Sequence, residues 1–203
     1  MAAETTIILP VRGFESGKSR LAKILSVQER TALNARMFAH VFAVAREVVG
    51  SDACLIVSPS QEICDLAESV GAQGLIEGGY GLNAALEEAR RAVRARGSDG
   101  ILALSCDLPL LVPADIEALL GAAHDVVLAP DVEGGGTNAL LARGSAQIAY
   151  RFGPGSYRAH VHEAESLGAG VAVVNRPGLA NDLDLPGQLS LLNNLGGGWQ
   201  PAA

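Results

Sequence analysis

The sequence predicts a doubly wound α/β fold: a mostly parallel sheet with helices on both faces. Short β-branched or leucine-rich runs recur along the chain, segments of helical periodicity separate them, and glycine or proline closes most of the segments. Strands joined by crossover helices lie parallel, and strands covered on both faces appear as unbroken apolar runs rather than alternating ones.

The elements follow in order. Thr5-Thr-Ile-Ile-Leu-Pro10 is a buried strand that feeds a glycine-containing polar loop. Ser26-Val-Gln-Glu29 has the capping-box spacing, and Leu33, Met37, Val41, Val44 and Val48 then recur on one face of a long helix. Ala53 to Val57 is a second strand, Gln61 to Val70 a helix stopped at Gly71, and Leu75-Ile76 a short strand. Leu82 to Arg96 presents Leu82, Leu86, Ala89 and Val93 on one side of a helix ended by Gly97. Gly100 to Cys106 is a strand leading into Asp107-Leu-Pro109, followed by a helix at Ala114 to Ala122 and a strand at Val126 to Ala129.

Beyond Asp131 the pattern changes. Glu133-Gly-Gly-Gly-Thr-Asn138 is too rich in glycine for a helix, and Ala139 to Ala142 is expected to return antiparallel, as a small insertion over the site. A helix at Ser156 to Leu167, a strand at Val171 to Val174 and a terminal helix at Leu185 to Asn193 complete one domain over 1–195, with a frayed tail at 196–203. Ligands of such sheets gather beyond the carboxyl ends of the strands, so the loops after Pro10, Cys106 and Pro130 are expected to meet in one crevice.

Composition narrows the function. A formal net charge of −7 argues against wrapping nucleic acid, which requires basic stripes on the protein. No apolar stretch approaches the roughly 18 residues of a membrane span, and Met1 to Thr6 lacks a leader pattern, so a cytoplasmic protein without a membrane partner is expected. Cys54, Cys64 and Cys106 share no metal or redox spacing and are expected to be reduced structural thiols.

Gly13-Phe-Glu-Ser-Gly-Lys-Ser19 suggests a P-loop, but only three residues separate Gly13 from Gly17 where that motif has four. The loop still carries Arg12, Lys18 and Arg20 just beyond a parallel strand, where cations and backbone amides suit a triphosphate. A solvated basic turn is the alternative. Asp107 ends a hydrophobic strand, and Asp182 and Asp184 alternate along one extended stretch, so both project from one face. Together the three carboxylates suit a hard cation such as Mg²⁺. Helix-capping roles are open to each of them as well.

With Leu9-Pro-Val-Arg-Gly13, Lys18-Ser-Arg-Leu21, Gly81-Leu-Asn83, Asp107-Leu-Pro-Leu110, Gly135-Gly-Thr-Asn-Ala-Leu140 and Phe152-Gly-Pro-Gly-Ser156 in place, the chain resembles a known family. It is similar, from about Ile7 to Leu192, to the 2-phospho-L-lactate or phosphoenolpyruvate guanylyltransferases of deazaflavin coenzyme F-420 biosynthesis, within the MobA-like nucleotidyltransferases. The resemblance implies a Rossmann-like nucleotidyltransferase fold. It also implies a reaction in which GTP and a small phosphorylated three-carbon acid give a guanylylated diphosphate and pyrophosphate, with Mg²⁺ required. By the same resemblance Leu9, Val11, Arg12, Gly13, Lys18, Arg20 and Asn83 border the nucleotide; Thr137, Gly153 and Ser156 contact the acceptor; Asp107, Asp182 and Asp184 hold metal; and Lys18 and Asp107 carry the catalysis.

The acceptor phosphate is already an anionic nucleophile, so no general base is expected. His160 and His162 lie on the helix after Ser156, where surface or helix-packing roles are expected and contact with an acid group of the substrate is the alternative. Phosphoenolpyruvate, 2-phospho-L-lactate and 3-phospho-D-glycerate differ by too little for the sequence to choose among them. Whether the chain forms a homodimer is also left open. Two rival readings stand beside this one: a nucleotidyltransferase for molybdopterin or a sugar phosphate, and a non-catalytic nucleotide-binding regulator.

Overall fold

A computed structural model describes residues 5–195. Seven strands form one sheet in the order β3-β2-β1-β4-β6-β5-β7, with β1 at Thr5–Pro10, β2 at Cys54–Ser58, β3 at Gln73–Ile76, β4 at Gly100–Leu104, β5 at Val126–Pro130, β6 at Thr137–Arg143 and β7 at Val171–Val173. All neighbours pair parallel except β6, which runs antiparallel to both β4 and β5. The chain moves outward from β1 through β2 to β3 and then crosses back to β4 on the other side of β1. The order therefore reverses between β1 and β4, and a crevice opens there at the carboxyl ends.

Side chains of each strand divide between two apolar layers, as a period of two requires. Ile7, Leu9, Leu102, Leu104, Ala139 and Leu141 face the layer under α1 (Val27–Val49), α2 (Gln61–Ser69), α4 (Pro113–Leu120) and α6 (Pro177–Ala180). Ile8, Leu55, Val57, Ile101, Leu140 and Ala142 face the layer under α3 (Leu82–Ala95) and α5 (Ser156–Ser166). Both faces are covered, in agreement with the doubly wound expectation.

The antiparallel strand is present, but it is not an insertion over the site. β6 lies inside the sheet, paired with β4 from Gly100↔Arg143 to Leu104↔Ala139 and with β5 on its other side. Leu140 and Leu141 are fully buried in opposite layers, so this strand needs a strand on each edge and a helix on each face to shield it.

The capping box forms as its spacing predicts: Ser26 Oγ accepts from Glu29 N–H at 3.2 Å, and Glu29 Oε2 accepts from Ser26 N–H at 2.7 Å. The terminal segment Pro186–Leu195 is a 3-10 helix rather than an α-helix. Proline supplies no N–H at its start, and Gln188 Oε1 tightens the entry by accepting from Asp184 N–H and Leu185 N–H at 2.8 and 2.7 Å. The expected frayed tail lies outside the described residues.

α6 is a single turn that hydrophobic periodicity does not reveal, and it places the segment carrying Asp182. It packs on α4 through Asp115, which is buried and accepts from Arg176 Nε at 2.5 Å and from Val112 N–H at 3.0 Å. A methyl group on Gly178 would stand 1.8 Å from Asp115 Oδ2 and 2.8 Å from the Leu110 carbonyl oxygen. Gly178→Ala, which in an open helix stabilises by about 0.5–1 kcal/mol, is instead expected to destabilise by about 1–3 kcal/mol through overpacking. Urea denaturation checks the sign.

Candidate active site

The crevice between β1 and β4 contains a cavity of about 500 Å³. Val11, Arg12, Gly13 and Lys18 from the loop after β1, Asp107 from the loop after β4, and Asp184 from the C-terminal segment line it. The loops after Pro10 and Cys106 thus converge as expected. The turn after Pro130 does not reach the cavity wall, because β6 carries the chain back into the sheet.

The first loop is held from below. Asn34 of α1 donates through Nδ2 to the carbonyl oxygens of Phe14 and Ser16 at 2.8 and 3.1 Å, and Leu21 is fully buried in a small cluster with Leu25, Leu33, Met37, Leu183 and Leu192. Between these anchors Lys18 takes a left-handed conformation, φ 51 and ψ 33, the only positive φ outside glycine among the described residues. Such a backbone costs a non-glycine residue about 1–2 kcal/mol. It carries the side chain inward, where only 6% of it is exposed and Nζ donates to Asp107 Oδ2 at 2.6 Å and to Asp184 Oδ1 at 2.9 Å. Burial by itself would lower the Lys18 pKa, but the two carboxylates outweigh it and hold the ammonium above its ordinary value.

The carboxylates come together as predicted. Asp182 and Asp184 flank Leu183, whose burial in the cluster under the loop turns both acids the same way. Leu183 N–H donates to the Asp107 carbonyl oxygen at 3.0 Å, which ties the two segments together. Asp107 Oδ1 also accepts from Ser105 Oγ at 2.5 Å. One oxygen from each of Asp107, Asp182 and Asp184 lies within 4.8 Å of the other two, so the group could hold a divalent cation. Burial, and then the neighbouring charge of Asp107, push the Asp182 carboxyl above its usual range. All-carboxylate donors with excess negative charge suit a small hard cation.

The other candidates divide between two places. Leu9 is fully buried in the core and is not on the cavity wall. Arg20 is largely exposed and lies 3.4 Å from Asp184 Oδ2. Asn83 is also off the wall: its Nδ2 donates to the Phe152 carbonyl oxygen at 3.0 Å, and its Oδ1 accepts from Phe152 N–H at 2.8 Å. Both ends of that amide are thus occupied in fastening the loop before α5. Cys106 has a thiol pushed up by burial and by the charge of Asp107, and all three cysteines are free, in keeping with inert structural thiols.

Thr137, Gly153 and Ser156 gather at the start of β6 and of α5, where Tyr157 N–H donates to the Gly135 carbonyl oxygen at 3.4 Å. Ser156 is not the N-cap. Gly155 holds that position with φ 75, and Ser156 is the buried first residue of the helix. The glycine turn is also less open than its composition implies, because the Asp131 carboxylate accepts from Gly135 N–H and Gly136 N–H at 2.9 and 2.8 Å. Asn138 bridges this corner to the carboxylates: its Nδ2 donates to the Leu179 carbonyl oxygen at 2.9 Å and approaches Asp182 Oδ1 at 3.5 Å.

The guanylyl transferase CofC-like family model matches residues 5–193. The chain belongs to this family. It is 41% identical over 193 residues to the phosphoenolpyruvate guanylyltransferase of Rubrobacter xylanophilus, covering 94% of each chain. It is 38% identical over 185 residues to the 2-phospho-L-lactate guanylyltransferase of Methanothermobacter thermautotrophicus, covering 89% of this chain and 80% of that one. A solved nucleotidyl transferase from Methanothermobacter superposes with a TM-score of 0.62 over 95% of this chain and 97% of that chain at 16% identity, a likeness of fold. Membership makes the protein an enzyme of the guanylyl transferase type.

Within this family member, Ser105, Asn34 and Asn138 support residues that the sequence pointed to directly. Asn138 stands inside the Gly-Thr-Asn motif, so its position was visible although its partners were not. Glu77, on the cavity wall directly after β3, gave no sequence signal of its own.

Proposed function

We propose that the chain transfers GMP from GTP to a small phosphorylated three-carbon acid (phosphoenolpyruvate, 2-phospho-L-lactate or 3-phospho-D-glycerate) with release of pyrophosphate. The observation that carries this reading is the buried Lys18 ammonium set between Asp107 and Asp184 on the wall of a cavity at the β1/β4 switch point. The relatives' names supply the nucleotide and two of the acids. An acceptor phosphate oxygen attacks the α-phosphorus, the bond to the β-phosphate oxygen breaks, and pyrophosphate leaves with the electron pair. The acceptor is anionic throughout, so the residues are asked for position and charge rather than for proton abstraction.

Asp107, Asp182 and Asp184 would hold Mg²⁺, which when bound neutralises charge on the phosphates. Lys18 and Arg12 supply positive charge toward the triphosphate from the first loop. Glu77 lies on the cavity wall with Oε2 accepting from Gly79 N–H at 2.5 Å, and its Oε1 suits an N–H donor on the guanine edge. Thr137, Gly153 and Ser156 take the acceptor's phosphate and carboxylate. The net charge of −7 fits small anions handled locally rather than nucleic acid, and no described helix is long and apolar enough to cross a membrane, in keeping with a reaction in the cytoplasm.

Incubation with GTP, Mg²⁺ and each acid in turn, followed by mass spectrometry, tests the proposal. The expected product is the acid joined through a diphosphate to guanosine, with pyrophosphate in equal amount. Absence of any adduct with all three acids would turn attention to another acceptor.

A further inference from the structure

His160 is fully buried, and both of its ring nitrogens are engaged. Nε2 lies 2.9 Å from Arg151 N, a backbone amide that can only donate, so Nε2 is the acceptor. A neutral imidazole with an acceptor Nε2 carries its hydrogen on Nδ1, which is 3.0 Å from Thr137 Oγ1. Burial draws the His160 pKa down to about 4, consistent with a neutral ring at pH 7. The direction of the second bond follows: Nδ1–H donates and Thr137 Oγ1 accepts. The threonine hydroxyl hydrogen is then left for another acceptor, and no other described residue bonds it.

The same ring ties together two chain segments far apart in sequence. Thr137 opens β6, whereas Arg151 leads through Phe152 to Gly153 and the start of α5. The Phe152 ring meets the imidazole edge-on at 4.9 Å between centroids, and Arg151 Nε also donates to Glu163 Oε1 at 2.8 Å on α5. We propose that His160 is a positioning residue for the acceptor acid, one that aims the Thr137 hydroxyl hydrogen at the acid's anionic group and holds the Arg151–Gly153 segment against it. The inference rests on the reading of Thr137 as an acceptor contact. It extends that reading to a side chain that touches no substrate.

Two near-isosteres separate the two bonds. In His160→Asn the amide nitrogen falls near Nδ1 and can still donate to Thr137, while the bond from Arg151 is lost. In His160→Gln the amide oxygen falls near Nε2 and can still accept from Arg151, while Thr137 loses its donor. His160→Gln is expected to raise the acceptor KM by roughly tenfold with the GTP KM unchanged, and His160→Asn to raise it by a smaller factor, because the Thr137 hydroxyl stays aimed while the Arg151–Gly153 segment loosens, with a lower melting temperature than wild type. Equal acceptor KM values for wild type and both variants, whatever their melting temperatures, would overturn the proposal.

Thr137→Val is the control for the underlying reading. If it leaves the acceptor KM unchanged, the acceptor site is elsewhere and the inference falls with it. If it raises that KM while the His160 variants do not, the inference alone fails. Should both histidine variants misfold, ¹⁵N spectra of the wild-type imidazole decide the matter: the Nδ1–H tautomer is expected, and an Nε2–H tautomer refutes the assignment.

Discussion

Asp107→Asn is expected to keep the fold and lose at least about 10²–10³-fold in kcat, the scale of removing one preorganised electrostatic contact from a phosphoryl or acyl transfer site. The amide preserves the shape and can still accept from Ser105 Oγ, now 2.5 Å from Asp107 Oδ1. Lys18 keeps its bond to Asp184 at 2.9 Å, so the loop remains tethered. What disappears is a negative charge from a trio whose oxygens lie within 4.8 Å of one another. Pyrophosphate release, a melting curve and Mn²⁺ binding followed by electron paramagnetic resonance form the test. Near-normal turnover with unchanged melting would remove Asp107 from the reaction.

Lys18→Met is expected to act in two opposite ways. It should lower kcat/KM for GTP by about 10²-fold, because a cation facing the triphosphate is gone, while the acceptor KM changes little. In the absence of nucleotide it should tighten Mn²⁺ binding, because the wild-type ammonium bonds to Asp107 and Asp184, two of the three carboxylates a divalent ion would use. On the proposed reading, lysine and metal would compete for the same two carboxylates until a triphosphate drew the lysine away. Mn²⁺ affinity no tighter in the variant would show that the two do not compete, and an equal loss for both substrates would contradict the division of roles.

Much of this site was legible because its signals are local. The Asp-Leu-Asp alternation at 182–184 needs only the period of extended chain, and the burial of Leu183 makes that period real. The capping box at Ser26 and Glu29 lies within one turn. Lys18 stood out as a cation beyond a strand in an acidic chain. Features that depend on distant partners were hidden. His160 finds Thr137 at a separation of 23 residues, and Asn83 finds Phe152 at 69, with no motif connecting them. Nothing in the composition of the glycine turn reveals that Asp131 folds back onto the amides of Gly135 and Gly136. The place of β6 was misread for a similar reason, since an antiparallel return gives the same apolar run at an edge and at a centre.

If Thr137 contacts the acceptor as proposed, the central position of β6 limits how a change of acceptor could evolve. Its pairing with β4 and β5 locks the register from Ala139 to Arg143, and with it the point where Thr137 and Asn138 enter the sheet through a one-residue register shift opposite Ala129 and Pro130; a slip of one residue would exchange Leu140 and Leu141 between the two layers. Mutation can therefore alter these side chains but cannot slide them. The segment from Arg151 to Gly155 has no strand partner and contains glycines at φ 133 and 75. Lineages that shift from one three-carbon acid to another are expected to differ first in that segment, while the strand that presents Thr137 stays fixed in place.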